Sequence, residues 1–113
     1  MRFEESKIGN VFIAKILESR ITADVASHFK QDLIEYVAMG NQTIVLDLSD
    51  VTFIDSSGLG AIIGSLKAMG SERELVLCGA RDAVSSMFKL TRMNKMFRMF
   101  RNREEAVLAM SCR

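Results

Sequence analysis

Three consecutive polar residues followed by closely spaced glycines form the stretch of this sequence with the clearest chemical potential. In order, they are Asp55, Ser56, Ser57, Gly58, Leu59 and Gly60. The pattern predicts the start of a helix over residues 57–69, because Asp and Ser side chains accept hydrogen bonds from free N–H groups there. A helix N-terminus also tolerates a phosphate on a neighbouring serine. The residues alone favour a structural cap and a phosphorylated switch equally, and they do not choose between Ser56 and Ser57.

Enzymatic chemistry is the alternative interpretation of the same residues. A catalytic serine needs a base, and the single histidine, His28, lies on another predicted helix. Residues 54–58 also lack the first glycine of the Gly-x-Ser-x-Gly nucleophile turn. The glycines at 58, 60 and 64 resemble a loose dinucleotide loop, but residues 49–55 separate them from the preceding strand. A small nucleotide-binding or hydrolytic α/β protein that uses this turn therefore remains the alternative function.

The composition gives no indication of a metal, a cofactor or a nucleic-acid partner. One histidine, two distant cysteines and no carboxylates at ligand spacing predict no metal site. Six cations between residues 89 and 103 could contact RNA or an acidic partner. The net charge of +1 favours a solvated basic face instead. We therefore expect no cofactor, no nucleic acid and no catalytic residue.

The length and the apolar content predict one domain over residues 1–113. Hydrophobic residues make up 49% of the chain, which is enough for one core. No apolar run is long enough to span a membrane, and the charged N-terminal residues do not form a signal peptide. Cys78 lies in an apolar run, and the two thiols, Cys78 and Cys112, suit a reducing compartment. We expect a cytoplasmic protein without membrane contact.

Strand-like and helix-like segments alternate along the chain and predict an α/β fold. Strands are expected over residues 2–7, 11–17, 43–48, 74–78 and 96–100, with residues 51–54 as a loop that packs back on the core. Helices are expected from Ala23 to the Gly40-Asn41 stop signal, and over residues 57–69, 81–90 and 103–110. A hairpin about Gly9 supplies an antiparallel edge. The predicted architecture is a four- to five-stranded mixed sheet with about four helices largely on one side.

The glycines of the predicted helix over residues 57–69 need an explanation, because each glycine costs a helix interior up to about 1 kcal/mol relative to alanine. Close approach of another backbone, or of a partner surface, would explain Gly58, Gly60 and Gly64. The sequence alone does not choose between these two explanations.

The segment over residues 45–60 resembles the signature of STAS domains, and specifically of bacterial anti-sigma-factor antagonists of the SpoIIAA/RsbV type. It reads Val-Leu-Asp-Leu-Ser-x-Val-x-Phe-Ile-Asp-Ser-Ser-Gly-Leu-Gly. Weaker agreement extends over residues 23–30, 74–79 and 87–93. The resemblance implies the same fold that the element order predicts. One position departs from the family pattern, because Thr22 stands where the family commonly has Asp.

The resemblance implies a partner-switching protein that is not an enzyme. In this family a GHKL-type serine kinase, which often doubles as the anti-sigma factor, phosphorylates the serine directly after the Asp of the signature. That serine corresponds to Ser56. The resemblance also implies a partner-binding surface around it, which consists of Thr22, Asp55, Ser57, Gly58, Leu59, Gly60 and Ile63. The unmodified antagonist binds the kinase and frees the kinase's other target. Phosphorylation ends the complex, a PP2C-type phosphatase restores it, and the free antagonist is expected to be a monomer.

Overall fold

A computed structural model describes residues 2–26, 28–69, 74–92, 95 and 97–111 of the chain, without the side chains of residues 66–69. The strands in these ranges are β1 (Phe3–Ile8), β2 (Val11–Ile16), β3 (Arg20–Ile21), β4 (Thr43–Asp47), β5 (Phe53–Ile54), β6 (Glu74–Cys78) and β7 (Met99–Phe100). The helices are α1 (Ala23–Ala26), α2 (Phe29–Ala38), α3 (Ser56–Met69), α4 (Asp82–Leu90) and α5 (Arg103–Ser111).

The main sheet has five strands in the order β1-β2-β4-β6-β7. The first pair, β1 and β2, is antiparallel, and the other pairs are parallel. Gly9 forms the hairpin turn between β1 and β2 with a φ of +61°, a conformation that glycine adopts without steric cost. The predicted mixed α/β sheet and its antiparallel hairpin edge are confirmed.

Apolar residues cover both faces of the sheet, and the two faces differ in size. On the larger face, Ile44 and Leu46 of β4 belong to one core cluster with buried side chains of α2, α3 and α4. On the smaller face, Val45 belongs to a second cluster with Ala106 and Met110 of α5. The nearly continuous apolar sequence of β4 therefore reflects a strand that is buried on both sides.

Two details of the architecture differ from the sequence-based expectation. The first predicted helix is divided into α1 and α2, although Phe29, Leu33 and Tyr36 form the expected buried stripe. The segment expected to be a loop over residues 51–54 contains β5, which pairs in parallel with β3 in a separate two-stranded sheet. The last strand was predicted from Met96, which lies outside the described residues; the described strand is Met99–Phe100.

Candidate functional site

A two-stranded sheet positions the polar turn that precedes α3. In this sheet Arg20 lies opposite Phe53 and Ile21 opposite Ile54. Both isoleucines are buried, so they anchor the small sheet in the core. The backbone N–H of Asp55 donates to the carbonyl of Ile21 at 3.2 Å, which extends the pairing to the residue before the helix. The turn is therefore held by long-range strand pairing as well as by its own helix.

The side chain of Asp55 caps α3. Its Oδ1 atom accepts a hydrogen bond from the backbone N–H of Gly58 at 2.8 Å. Its backbone carbonyl accepts a bond from the N–H of Leu59 at 2.9 Å, and the helix begins at Ser56, one residue earlier than predicted. The capping function, which the sequence left open among three polar residues, thus belongs to Asp55.

Ser56 and Ser57 occupy the first two positions of α3, and both are exposed. Neither hydroxyl makes a hydrogen bond to any part of the chain that the structure describes. Both hydroxyls are therefore available to a partner or to a modifying enzyme. The geometry does not distinguish between them, so the choice of Ser56 continues to rest on the signature of residues 45–60.

The three glycines of α3 have different surroundings. A Cβ atom added to the buried Gly58 would clash with the carbonyl oxygen of Ile21 and lie 2.7 Å from its Cγ2 atom. A Cβ at Gly60 or Gly64 would meet no heavy atom within 4 Å. Close packing against β3 therefore explains Gly58 alone. Gly60 is exposed and leaves helix backbone without side-chain cover, whereas Gly64 is half-buried.

The other predicted partner-binding residues lie around the same turn but differ in exposure. Thr22 follows β3 and Asp55 follows β5, so the two leave the small sheet at the same end. Thr22 is half-buried, and its carbonyl accepts the first hydrogen bond of α1 from Ala26 at 2.8 Å. Leu59 is 4% exposed and belongs to the core, whereas Ile63 is half-buried beside it. Leu59 therefore positions the helix rather than offering surface.

An exposed aromatic and cationic pair adjoins this turn, and it was not singled out from the sequence. The guanidinium of Arg20 lies 4.3 Å from the centre of the Phe53 ring, and Phe53 is 38% exposed. The pair forms because β3 and β5 lie side by side, with Arg20 opposite Phe53. No pattern within either two-residue strand could have indicated this contact.

A cluster of interacting polar residues, which the sequence did not reveal, lies at the carboxyl ends of the central strands β4 and β6. Asp47, at the end of β4, is buried and accepts bonds from the Nη2 and Nε atoms of Arg103 at 3.0 and 3.3 Å. Its other oxygen accepts a bond from the N–H of Ser49 at 2.9 Å. Burial, and then the negative charge of Asp47, raises the pKa of the neighbouring Cys78 thiol to about 12. The bonds between Asp47 and Arg103 fix α5 to the sheet.

The structure gives little support to the enzymatic alternative. His28 is exposed in the turn before α2, and its side chain makes no hydrogen bond to Ser56 or Ser57 within the described ranges. Gly58 packs against Ile21, so it does not offer an open backbone to a nucleotide phosphate. The described residues contain no group of three potential metal ligands. In the same ranges, no helix has both the length and the apolar character needed to cross a bilayer.

Comparison with known proteins assigns the chain to a family. A model of the STAS domain matches residues 6–106. An anti-sigma-B factor antagonist of Staphylococcus aureus is 31% identical over 94 residues, which cover 80% of this chain and 76% of that protein. The chain therefore belongs to the STAS domain family, within its group of anti-sigma factor antagonists.

Solved structures show the same fold. An anti-sigma factor antagonist from Mycobacterium paratuberculosis superimposes with a TM-score of 0.85 at 22% identity, over 96% of this chain and 92% of that one. The phosphorylated form of SpoIIAA from Bacillus superimposes with a TM-score of 0.71 at 15% identity, over 96% of this chain and 99% of that one. The fold described above is thus that of known STAS domains.

Proposed function

We propose that this chain is an anti-sigma factor antagonist whose binding to its partner is controlled by phosphorylation on Ser56. One observation carries the proposal of a modifiable hydroxyl: Ser56 is exposed at the start of α3 while Asp55 already supplies the helix cap. The hydroxyl is therefore not used by the fold. The signature of residues 45–60 selects Ser56 over the equally exposed Ser57. The similarity to the Staphylococcus aureus anti-sigma-B factor antagonist, and the existence of a phosphorylated form of SpoIIAA, support the same assignment.

The surroundings of Ser56 explain how a phosphate would act on binding. Exposed Gly60 leaves bare helix surface on which a partner backbone can pack closely. A phosphate on Ser56 adds a charge of about −1.5 to −2 beside the carboxylate of Asp55. Docking would remove water from this dianion, which costs several kcal/mol unless cations pair with it. Phosphorylation should therefore weaken the complex.

The proposed cycle has three proteins. The first is a GHKL-type serine kinase that also serves as the anti-sigma factor. When the kinase binds the unmodified chain, it releases its other target. The kinase then phosphorylates Ser56 and releases the chain, and a PP2C-type phosphatase resets it. The chain acts by binding and not by catalysis, as a monomer when free, in the cytoplasm where ATP is available. Its contact surface comprises Thr22, Asp55, Ser57, Gly60 and Ile63, with Gly58 and Leu59 holding the helix in place.

Phosphate mapping with adjacent serine variants tests the site. The kinase is captured with the Ser56→Ala variant as bait, then incubated with ATP and the wild-type chain, and phosphate is located by mass spectrometry. We expect phosphate on Ser56, none on Ser56→Ala, and unchanged phosphorylation of Ser57→Ala. The control is closely matched because both serines are exposed at adjacent positions of α3. Loss of phosphate from Ser57→Ala together with its retention on Ser56→Ala would contradict the assignment.

A further inference from the structure

The sequence separates its charges strongly in one segment. Residues 83–103 contain no acidic residue, and their cations are Lys89, Arg92, Lys95, Arg98, Arg101 and Arg103. The rest of the chain contains the other nine cations and all 14 acidic residues. This segment therefore carries a charge of +6 and the rest of the chain −5, although the net charge is only +1. Within the described residues, Arg103 is the one cation of the six that pairs with a buried acid, Asp47.

Part of this segment forms a cleft between α4 and β7. The cleft has a volume of about 510 Å³. Its cationic lining residues are Lys89, Lys95 and Arg98, and its apolar ones are Phe97, Met99 and Phe100. Lys89, Lys95 and Arg98 are exposed, so the positive charge lies around an apolar floor. Such a surface attracts negative groups and offers apolar contact at the same time.

The cleft also contains an open edge of the main sheet. Strand β7 is the last strand of the sheet, and no other described strand pairs with it. The N–H groups of Leu77 and Gly79 donate to the carbonyls of Arg98 and Phe100, at 3.0 and 3.2 Å. Because strand groups alternate in direction, the N–H and C=O of Met99 face away from β6. They can pair with an added strand.

The same cleft is poorly suited to RNA. Single-stranded RNA is bound largely by stacking of bases on exposed aromatic rings. Phe97 is only 2% exposed and lies edge-on to Phe88, with ring centres 6.0 Å apart. Phe100 is half-buried, and the guanidinium of Arg98 lies 5.2 Å from the centre of its ring. Neither ring therefore presents a free face to a base.

We propose that the cleft between α4 and β7 binds an extended acidic segment of a partner protein, which pairs with Met99 at the free edge of the sheet. Lys89, Lys95 and Arg98 select the negative charge of that segment. The same cations repel the identical edge of a second copy, which disfavours pairing between copies of this chain. None of the lining residues belongs to the turn at Ser56, so this site is independent of the phosphorylation proposed there.

Peptide binding to the full chain tests the charge requirement. The probe is a fluorescently labelled peptide of alternating Val and Glu, followed by polarisation, with a Val and Lys peptide as its counterpart. We expect saturable binding of the acidic peptide only, weakened by salt. Lys95→Glu should weaken it about fivefold or more, while Lys30→Glu, an exposed reversal on α2, should leave it unchanged. Equal binding of both peptides, or equal effects of both variants, would overturn the proposal.

Two further measurements test the mode of binding and its independence. Hydrogen exchange followed by NMR should show slower exchange of the Met99 amide when the acidic peptide is bound, and unchanged exchange there would overturn strand addition. Ser56→Asp should leave the affinity for the acidic peptide unchanged. A loss of that affinity would overturn the claim that the cleft is a site separate from Ser56. Binding of labelled polyuridylate in place of the acidic peptide would show that the surface serves RNA and would also overturn the proposal.

Discussion

The carboxylate of Asp55 and the backbone N–H of Gly58 lie 2.8 Å apart, and this bond separates the structural part of the turn from its exposed part. Asp55 satisfies a free helix donor, and Gly58 lets α3 pack against the backbone of Ile21. Between them, Ser56 and Ser57 remain exposed and take no part in holding the turn. Changes at the cap and changes at the hydroxyls should therefore have different consequences.

Removal of the Asp55 side chain should destabilise the fold. We expect Asp55→Ala to lower the free energy of unfolding by about 1 kcal/mol, the usual cost of losing an N-cap side chain. Asp55→Asn should retain most of that stability, because its amide oxygen can accept the same bond from Gly58. Urea denaturation followed by circular dichroism measures both variants. Equal losses in the two would show that the charge of Asp55, and not its hydrogen bond, stabilises α3.

The glycines of α3 should respond oppositely to substitution by alanine. Gly58→Ala should cost about 2 kcal/mol or more in the free energy of unfolding, because its Cβ meets the backbone of Ile21. Gly60→Ala should stabilise the fold by up to about 1 kcal/mol, because the site is open and alanine favours the helix. The two variants serve as controls for each other in the same denaturation experiment.

The same Gly60→Ala variant separates stability from partner binding. If bare backbone at Gly60 lets the kinase-type partner approach closely, the added methyl group should weaken the complex while the fold gains stability. Isothermal titration with the captured kinase measures this effect. Unchanged affinity would show that the glycine does not lie at the interface.

Substitutions of Ser56 should reproduce the two states of the switch. Ser56→Ala should retain the affinity of the unmodified chain for the kinase-type partner, because it adds no charge and removes a hydroxyl that makes no hydrogen bond to the described residues. Ser56→Asp should bind at least about tenfold more weakly, because a charge must be desolvated at the interface. A pull-down quantified at several concentrations compares the two, with Ser57→Asp as the neighbouring control. Indistinguishable affinities of Ser56→Ala and Ser56→Asp would count against the mechanism.

The centre of the main sheet was predictable from the sequence because β2, β4 and β6 carry strong local signals. The nearly continuous apolar run in β4 and the turn residues around Gly9 define strands without knowledge of the partner strands. In contrast, β3 and β5 have two residues each, too few for any periodicity, and they form only because Arg20–Ile21 and Phe53–Ile54 pair across the chain. The division between α1 and α2 leaves the spacing of Phe29, Leu33 and Tyr36 intact, so hydrophobic periodicity could not reveal it.

The structure places the predicted site residues around one turn, but the contacts that each of them makes could not be predicted from the sequence. Sequence chemistry allowed Asp55, Ser56 or Ser57 to cap the helix, and the structure shows that Asp55 does so. The three glycines looked alike in sequence, yet among the described residues it is Gly58 that packs against the backbone of another element. The bond between Asp47 and Arg103 joins residues 56 positions apart, so no local pattern could have indicated it.

Loss of the Arg103 side chain should weaken the attachment of α5. The carboxylate of Asp47 is 8% exposed, and Arg103 is its only cationic partner among the described residues. Arg103→Met should lower the free energy of unfolding by about 2 kcal/mol, because a buried charge is left uncompensated. Arg101→Met, at an exposed neighbouring cation, is the control and should change stability little. Urea titration measures both, and similar losses would show that the pair contributes nothing specific.

The buried thiol of Cys78 should be nearly inert in the folded protein. Burial and the charge of Asp47 raise its pKa to about 12, so the reactive thiolate is scarce at neutral pH. In a Cys112→Ser background, alkylation by iodoacetamide near pH 8 should be at least about a hundredfold slower in the folded chain than in denaturing urea. The folded rate should still rise beyond about pH 10, whereas the unfolded thiol levels off once its ordinary pKa is passed. Comparable rates in both states would show that the thiol is accessible and that Asp47 does not suppress its ionisation.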